Sequence, residues 1–111
     1  MRNILITGCS SGIGECVAHG LHLRGYRVIA TVRNPDDCAA LESAGIECLV
    51  LDYGDSKSIK AAVEQVLEKT GGELYALFNN GAYGRPGACE DLTRDAIREQ
   101  FETNVFGWME L

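Results

Sequence analysis

The sequence lacks an apolar run long enough to cross a bilayer or to serve as a secretory leader, its N-terminal run extending only from Ile4 to Ile6. A membrane-spanning helix needs about 20 apolar residues, so no membrane partner is expected. Blocks of like charge, low-complexity tracts and internal repeats are also missing. Lys and Arg number 10 against 16 Asp and Glu, giving a formal net charge of −6. That balance excludes a general nucleic-acid surface, which needs clustered cations. Any anion site must therefore be local. The five cysteines, Cys9, Cys16, Cys38, Cys48 and Cys89, form no C-x-x-C pair and have no His at ligand spacing. Neither zinc nor a redox disulfide is expected, and the odd count reads as reduced thiols in a cytoplasmic protein. His19 and His22 lie three apart with no third ligand, which reads as surface placement and no metal.

What is present is an alternation of short apolar runs and helical stripes. At 111 residues, 46% of them apolar, the chain suits one small domain. Ile4, Leu5 and Ile6 read as a buried parallel strand, followed by a Gly/Ser loop. Ile13, Cys16, Val17, Gly20 and Leu21 recur at helical spacing, and Gly25 can end that helix. Val28 to Val32 is a second strand, and Asn34-Pro35 starts a helix that stops near Gly45. Ile46 to Leu51 is a third strand. Asp55 or Ser56 caps a helix with the stripe Ile59, Ala62, Val63, Val66 and Leu67, broken at Gly71-Gly72. Leu74 to Phe78 is a fourth strand, and Thr93 caps a last helix bearing Ile97, Phe101, Val105 and Trp108.

This β-α-β-α-β-α-β-α order predicts an α/β fold, with a doubly wound parallel sheet and helices on both faces. The strand order would be 3-2-1-4, with apolar strand four at an edge that lacks a neighbour. The last helix ends without a Gly or Asn cap, and Glu110 puts negative charge where the helix dipole disfavours it. The chain therefore reads as truncated, with residues 1–111 forming the N-terminal part of a single domain whose C-terminal segment is absent. The unpaired edge also leads us to expect a homo-oligomer.

Thr7-Gly8-Cys9-Ser10-Ser11-Gly12-Ile13-Gly14 lies directly between the first strand and first helix. Gly8 would permit the tight turn, Gly12 a close backbone approach to a diphosphate, and Gly14 close packing of helix on strand. Free N–H groups and the positive helix end favour an anion there. The spacing is G-x-x-x-G-x-G, which matches neither G-x-G-x-x-G nor a P-loop.

Together with Asp52 after strand three, Asn79-Asn80 after strand four and Asn104 in the final helix, this loop resembles the short-chain dehydrogenase/reductases. The resemblance covers essentially the whole chain and implies a Rossmann-type fold binding a nicotinamide dinucleotide. It implies that Gly8, Ser10, Ser11, Gly12, Ile13 and Gly14 hold the cofactor and that Asp52 bonds the adenine amino group. Asn80 and Gly81 would line the ribose, and Asn104 would help hold a proton-relay water. One departure stands out: relatives commonly read Asn-Asn-Ala-Gly where this chain has Asn79-Asn80-Gly81-Ala82. Moving Gly forward shifts the position where a positive φ is tolerated.

No acid ends strand two. Thr31 occupies the position where NAD-preferring relatives place Asp, and Arg33 follows. Arg33 can grip a 2′-phosphate in bidentate fashion, with Ser10 adding a hydroxyl, so NADP is expected over NAD. The family's Ser and Tyr-x-x-x-Lys are missing. Tyr53 to Lys57 is a formal match at the wrong place, beside the adenine end and on no helix. The resemblance implies an NADP-dependent oxidoreductase acting on an alcohol or carbonyl, with this chain as its cofactor-binding half and inactive alone. The competing reading is a non-catalytic nucleotide-binding or self-associating half-Rossmann module, or a gene remnant.

Overall fold

A computed structural model describes residues 1–111. Four parallel strands form one sheet in the order β3-β2-β1-β4: β1 (Asn3–Ile6), β2 (Arg27–Val32), β3 (Glu47–Val50) and β4 (Ala76–Phe78). Strand order, parallel sense and flanking helices are those of the expected Rossmann-type fold. Alternation along β2 divides its side chains between two faces. Val28, Ala30 and Val32 join Ile4, Ile6 and Ala18 beneath α1 (Gly12–Leu23) and α2 (Cys38–Ser43). Ile29 joins Leu5, Leu49 and Val66 beneath α3 (Ser56–Thr70).

Local chemistry sets the element ends. Asn34 Oδ1 accepts the Asp36 N–H, opening a 3-10 turn (Pro35–Asp37) before α2. Asp55 Oδ1 accepts the Lys57 N–H at the head of α3, and Thr93 Oγ1 accepts the Ala96 N–H at the head of α4 (Arg94–Phe101). Each bond satisfies a donor that the first helical turn would otherwise leave free. At the far end of the sheet, Arg27 grips Glu47 through two bonds of 2.7 and 3.0 Å and reaches the Lys69 carbonyl. The guanidinium holds the Glu47 carboxyl below its ordinary range.

Several expectations are corrected. The final helix is not regular: α4 passes into a π turn (Glu102–Gly107) and then α5 (Trp108–Glu110). The wider turn breaks the apolar stripe. Trp108 turns inward, whereas Ile97, Phe101 and Val105 are exposed. Glu110 does not face an unfavourable dipole alone, because its carboxylate accepts the Ser56 hydroxyl at the positive end of α3. Cys38 and Cys48 are joined in a disulfide with Cα atoms 5.5 Å apart, against the expectation of reduced thiols throughout. The fold brings α2 onto β3, a proximity that Cys spacing alone does not encode. His19 and His22 are half-buried rather than exposed, and no cluster of ligating side chains forms around them. No helix is long and apolar enough to cross a membrane.

Cys9 is fully buried, its Sγ bonded to the Ile6 carbonyl, and burial pushes its pKa up to about 11. Cys16 and Cys89 are exposed. Thiol labelling at neutral pH should therefore modify Cys16 and Cys89 quickly and Cys9 only after unfolding. Rapid native-state modification of Cys9, mapped by mass spectrometry, would contradict the packing.

Candidate active-site cleft

At the carboxyl ends of the strands lies a cleft of about 360 Å³. It is built around one hydroxyl. Thr7 directly follows β1, fully buried, and its Oγ1 accepts the N–H groups of Asn80 and Gly81, each at 3.0 Å. The same oxygen lies 2.7 Å from Tyr53 Oη, and Tyr53 Oη donates to Asn79 Oδ1 at 2.5 Å. One set of proton positions satisfies all of them: Thr7 accepts two N–H groups and donates to Tyr53, which donates onward to Asn79. Burial pushes Tyr53 up from its ordinary 10.0 to about 12, the Thr7 bond opposing this in part. The polar chain thus ties the ends of β1, β3 and β4 together.

Close backbone packing completes the frame. Gly8 has φ +68°, and a Cβ there would lie 2.7 Å from the Gly81 Cα. A Cβ on Gly14 would collide with the Gly8 carbonyl and lie 2.6 Å from Asn80 Nδ2. Asn80 Nδ2 in turn donates to the Thr7 and Gly8 carbonyls at 3.2 Å. Gly12, by contrast, has φ +61° and open space where a side chain would project. Ser11 sits at the N-cap of α1 with no side-chain cap bond. The N–H groups of Gly12, Ile13 and Gly14 find no acceptor in the chain. An uncapped, open helix N-terminus at the mouth of a cleft is suited to an anion.

Of the residues expected from the sequence, Gly8, Ser10, Ser11 and Arg33 line the cleft, as do Asp52, Asn80 and Gly81. Gly12, Ile13 and Gly14 form the first turn of α1, with the Ile13 side chain 70% exposed. Arg33 makes no ion pair. Asp52 Oδ1 accepts the Gly54 N–H at 2.9 Å, so this carboxylate shapes a turn while facing the cleft. Asn104 is not on the cleft wall. It lies in the π turn and clamps the Tyr83 backbone, accepting its N–H at 3.1 Å and donating to its carbonyl at 2.7 Å. Through Tyr83, which does line the cleft, Asn104 acts on the site at one remove.

Two readings of the sequence change. Thr31 does not face the cleft: it is 1% exposed, with its hydroxyl buried and unpartnered. Side chains of β2 reach the cleft only beyond the strand, at Arg33 and Asn34. Gly81 does not have a positive φ, nor does Ala82, so the Gly-Ala order does not relocate backbone freedom. Gly81 is needed for closeness instead. Thr7, Asp37, Tyr53 and Tyr83 also line the cleft, a placement that the sequence pattern does not mark. Thr7 was visible in the loop motif. Tyr53 carries no sequence signal beyond its formal spacing to Lys57, and its buried hydroxyl is bonded to Thr7 and Asn79.

The network predicts two outcomes. Thr7→Val should lower the unfolding free energy by about 2 kcal/mol, because it strands buried donors; a change under about 0.5 kcal/mol in denaturant titration would contradict it. Tyr53 has a raised pKa in the fold, so its contribution is complete below pH 10.0 and lost as pH climbs toward 12. Ultraviolet titration against Tyr53→Phe should show this tyrosine ionising last, and ionisation at the ordinary value would refute the assignment.

The short chain dehydrogenase family model matches residues 2–111. An oxidoreductase of Escherichia coli K12, YbbO, is 37% identical over 106 residues, covering 96% of this chain and 39% of its own length. The crystal structure of a short-chain dehydrogenase from Streptomyces avermitilis superposes with a TM-score of 0.93 at 33% identity, over 99% of this chain and 41% of that one. A Burkholderia cenocepacia short chain dehydrogenase in complex with NADP gives a TM-score of 0.85 at 30% identity, over 98% of this chain and 47% of that one. The chain thus spans about two fifths of the length of the curated relative and of the Streptomyces structure. Matched along nearly its whole length by sequence and by fold, the chain belongs to the short-chain dehydrogenase family.

Proposed function

We propose that this chain is the cofactor-binding part of an NADP(H)-dependent oxidoreductase that acts on an alcohol or carbonyl. The observation that carries the reading is the convergence, on one cleft, of an uncapped helix N-terminus and an unpaired guanidinium. The residues fit a nicotinamide dinucleotide. The N–H groups of Gly12 to Gly14 would take the diphosphate, and Gly12, with no side chain, leaves room for its approach. Arg33 and Ser10 would hold the 2′-phosphate, Asp52 the adenine amino group, and Asn80 and Gly81 would border the ribose. Bound there, the nicotinamide supplies or accepts the hydride. The chain's own residues bind and orient; Asn104 fixes the Tyr83 turn and, on the family resemblance, helps order a proton-relay water.

The family's Ser and Tyr-x-x-x-Lys, which would protonate the substrate, have no counterpart among these residues beyond the misplaced Tyr53–Lys57 spacing. Residues 1–111 are accordingly proposed to act within a longer protein and to turn over no substrate alone.

Titration of both dinucleotides tests the cofactor assignment. Arg33→Ala should weaken NADP binding about tenfold or more and leave NAD binding within about twofold. Unchanged discrimination between the two cofactors in the variant would sink the NADP assignment.

A further inference from the structure

Tyr53 fills a space that two glycines leave open. A Cβ added to Gly81 would sit 2.8 Å from Tyr53 Cε2 and 3.3 Å from Cδ2. A Cβ added to Gly107 would sit 2.6 Å from both the Tyr53 Cβ and the Tyr53 carbonyl oxygen. The residue is therefore wedged between the turn after β4 and the π turn, and it is 6% exposed. Its hydroxyl is held by Thr7 and Asn79. Trp108, whose ring centroid lies 6.4 Å from that of Tyr53, donates its indole N–H to the Gly81 carbonyl at 2.6 Å. Gly81 is thus fixed from one side by Tyr53 and from the other by Gly8, where a Cβ would lie 2.7 Å from the Gly81 Cα.

We infer that Tyr53 is a positioning residue for the dinucleotide cleft, size-coupled to Gly81: the tyrosine ring holds Gly81 against Gly8 and so sets where the glycine loop presents its N–H groups. The inference rests on the proposed cofactor role of that loop. It accounts for the glycine at position 81: a methyl group there has no room while position 53 is tyrosine. The backbone needs no glycine torsion at this point, so the constraint is one of volume.

The test is a double-variant cycle in the full polypeptide, read by melting temperature and by NADP titration. Gly81→Ala should lower the melting temperature and weaken NADP binding about tenfold, because the methyl pushes Gly81 off Tyr53 and toward Gly8. Adding Tyr53→Leu to Gly81→Ala should raise the melting temperature above that of Gly81→Ala and return binding to within about threefold of wild type. Recovery of both supports the proposal. Recovery of the melting temperature without recovery of binding overturns the positioning role and leaves a packing pair only. Strictly additive effects on both readouts overturn the coupling itself. If Gly81→Ala yields no folded protein, the double variant decides alone: it folds and binds within that margin, or the proposal fails. A wild-type protein that binds neither nicotinamide dinucleotide overturns the positioning role together with the cofactor reading, while melting-temperature recovery would still identify the packing pair.

Discussion

The Thr7 hydroxyl is the constraint on which the rest of the cleft depends. A threonine at the end of a buried parallel strand would ordinarily be an expensive polar group, costing one or more kcal/mol unless bonded. Here its oxygen is shared among the two amides that turn the chain after β4 and the phenol that follows β3. Three strand ends that are remote in sequence are thereby locked in register at one point. The glycines then act as spacers around that point. Gly14 lets α1 lie against the Gly8 carbonyl, and Gly8 lets the loop lie against Gly81. The helix N-terminus is consequently aimed by the sheet itself and does not hang on a free loop.

The same arrangement separates two kinds of polar group. Those spent internally, namely Thr7, Tyr53, Asn79 and the Asn80 amide, are bonded to one another or to backbone. Those left unspent, the N–H groups of the α1 first turn and the Arg33 guanidinium, lie at the cleft and its mouth. These donors favour an anion on their side of the cleft, whose lining also carries the Asp37 and Asp52 carboxylates. In a chain with net charge −6, the first turn of α1 and the Arg33 guanidinium still concentrate donors at one side of the cleft.

Most of the architecture was legible in the sequence because it is encoded locally. Apolar runs of three to six residues between helical stripes fix the strands, and Asp55 and Thr93 cap the helices that follow them. The strand order follows from the alternation. What could not be read is volume and contact between distant residues. Nothing in the neighbourhood of Gly81 announces that a tyrosine 28 positions earlier occupies the missing methyl's space. Nor does the periodicity of Ile97, Phe101, Val105 and Trp108 reveal a π turn, since the stripe stays regular in sequence while the backbone widens. The Cys38–Cys48 bond and the inward-facing Thr31 have the same origin: both depend on which helix lies over which strand face. Arg33 was legible, being the cation just past β2.

Amide hydrogen exchange on the full polypeptide, with and without NADP, tests the central claim most directly. The account predicts slow exchange at Asn80 and Gly81 in both states, since Thr7 holds their amides. It predicts fast exchange at Gly12, Ile13 and Gly14 in the free protein, slowed when the dinucleotide is added. Fast exchange at Asn80 and Gly81, or no change at Gly12 to Gly14 under saturating NADP, would contradict it.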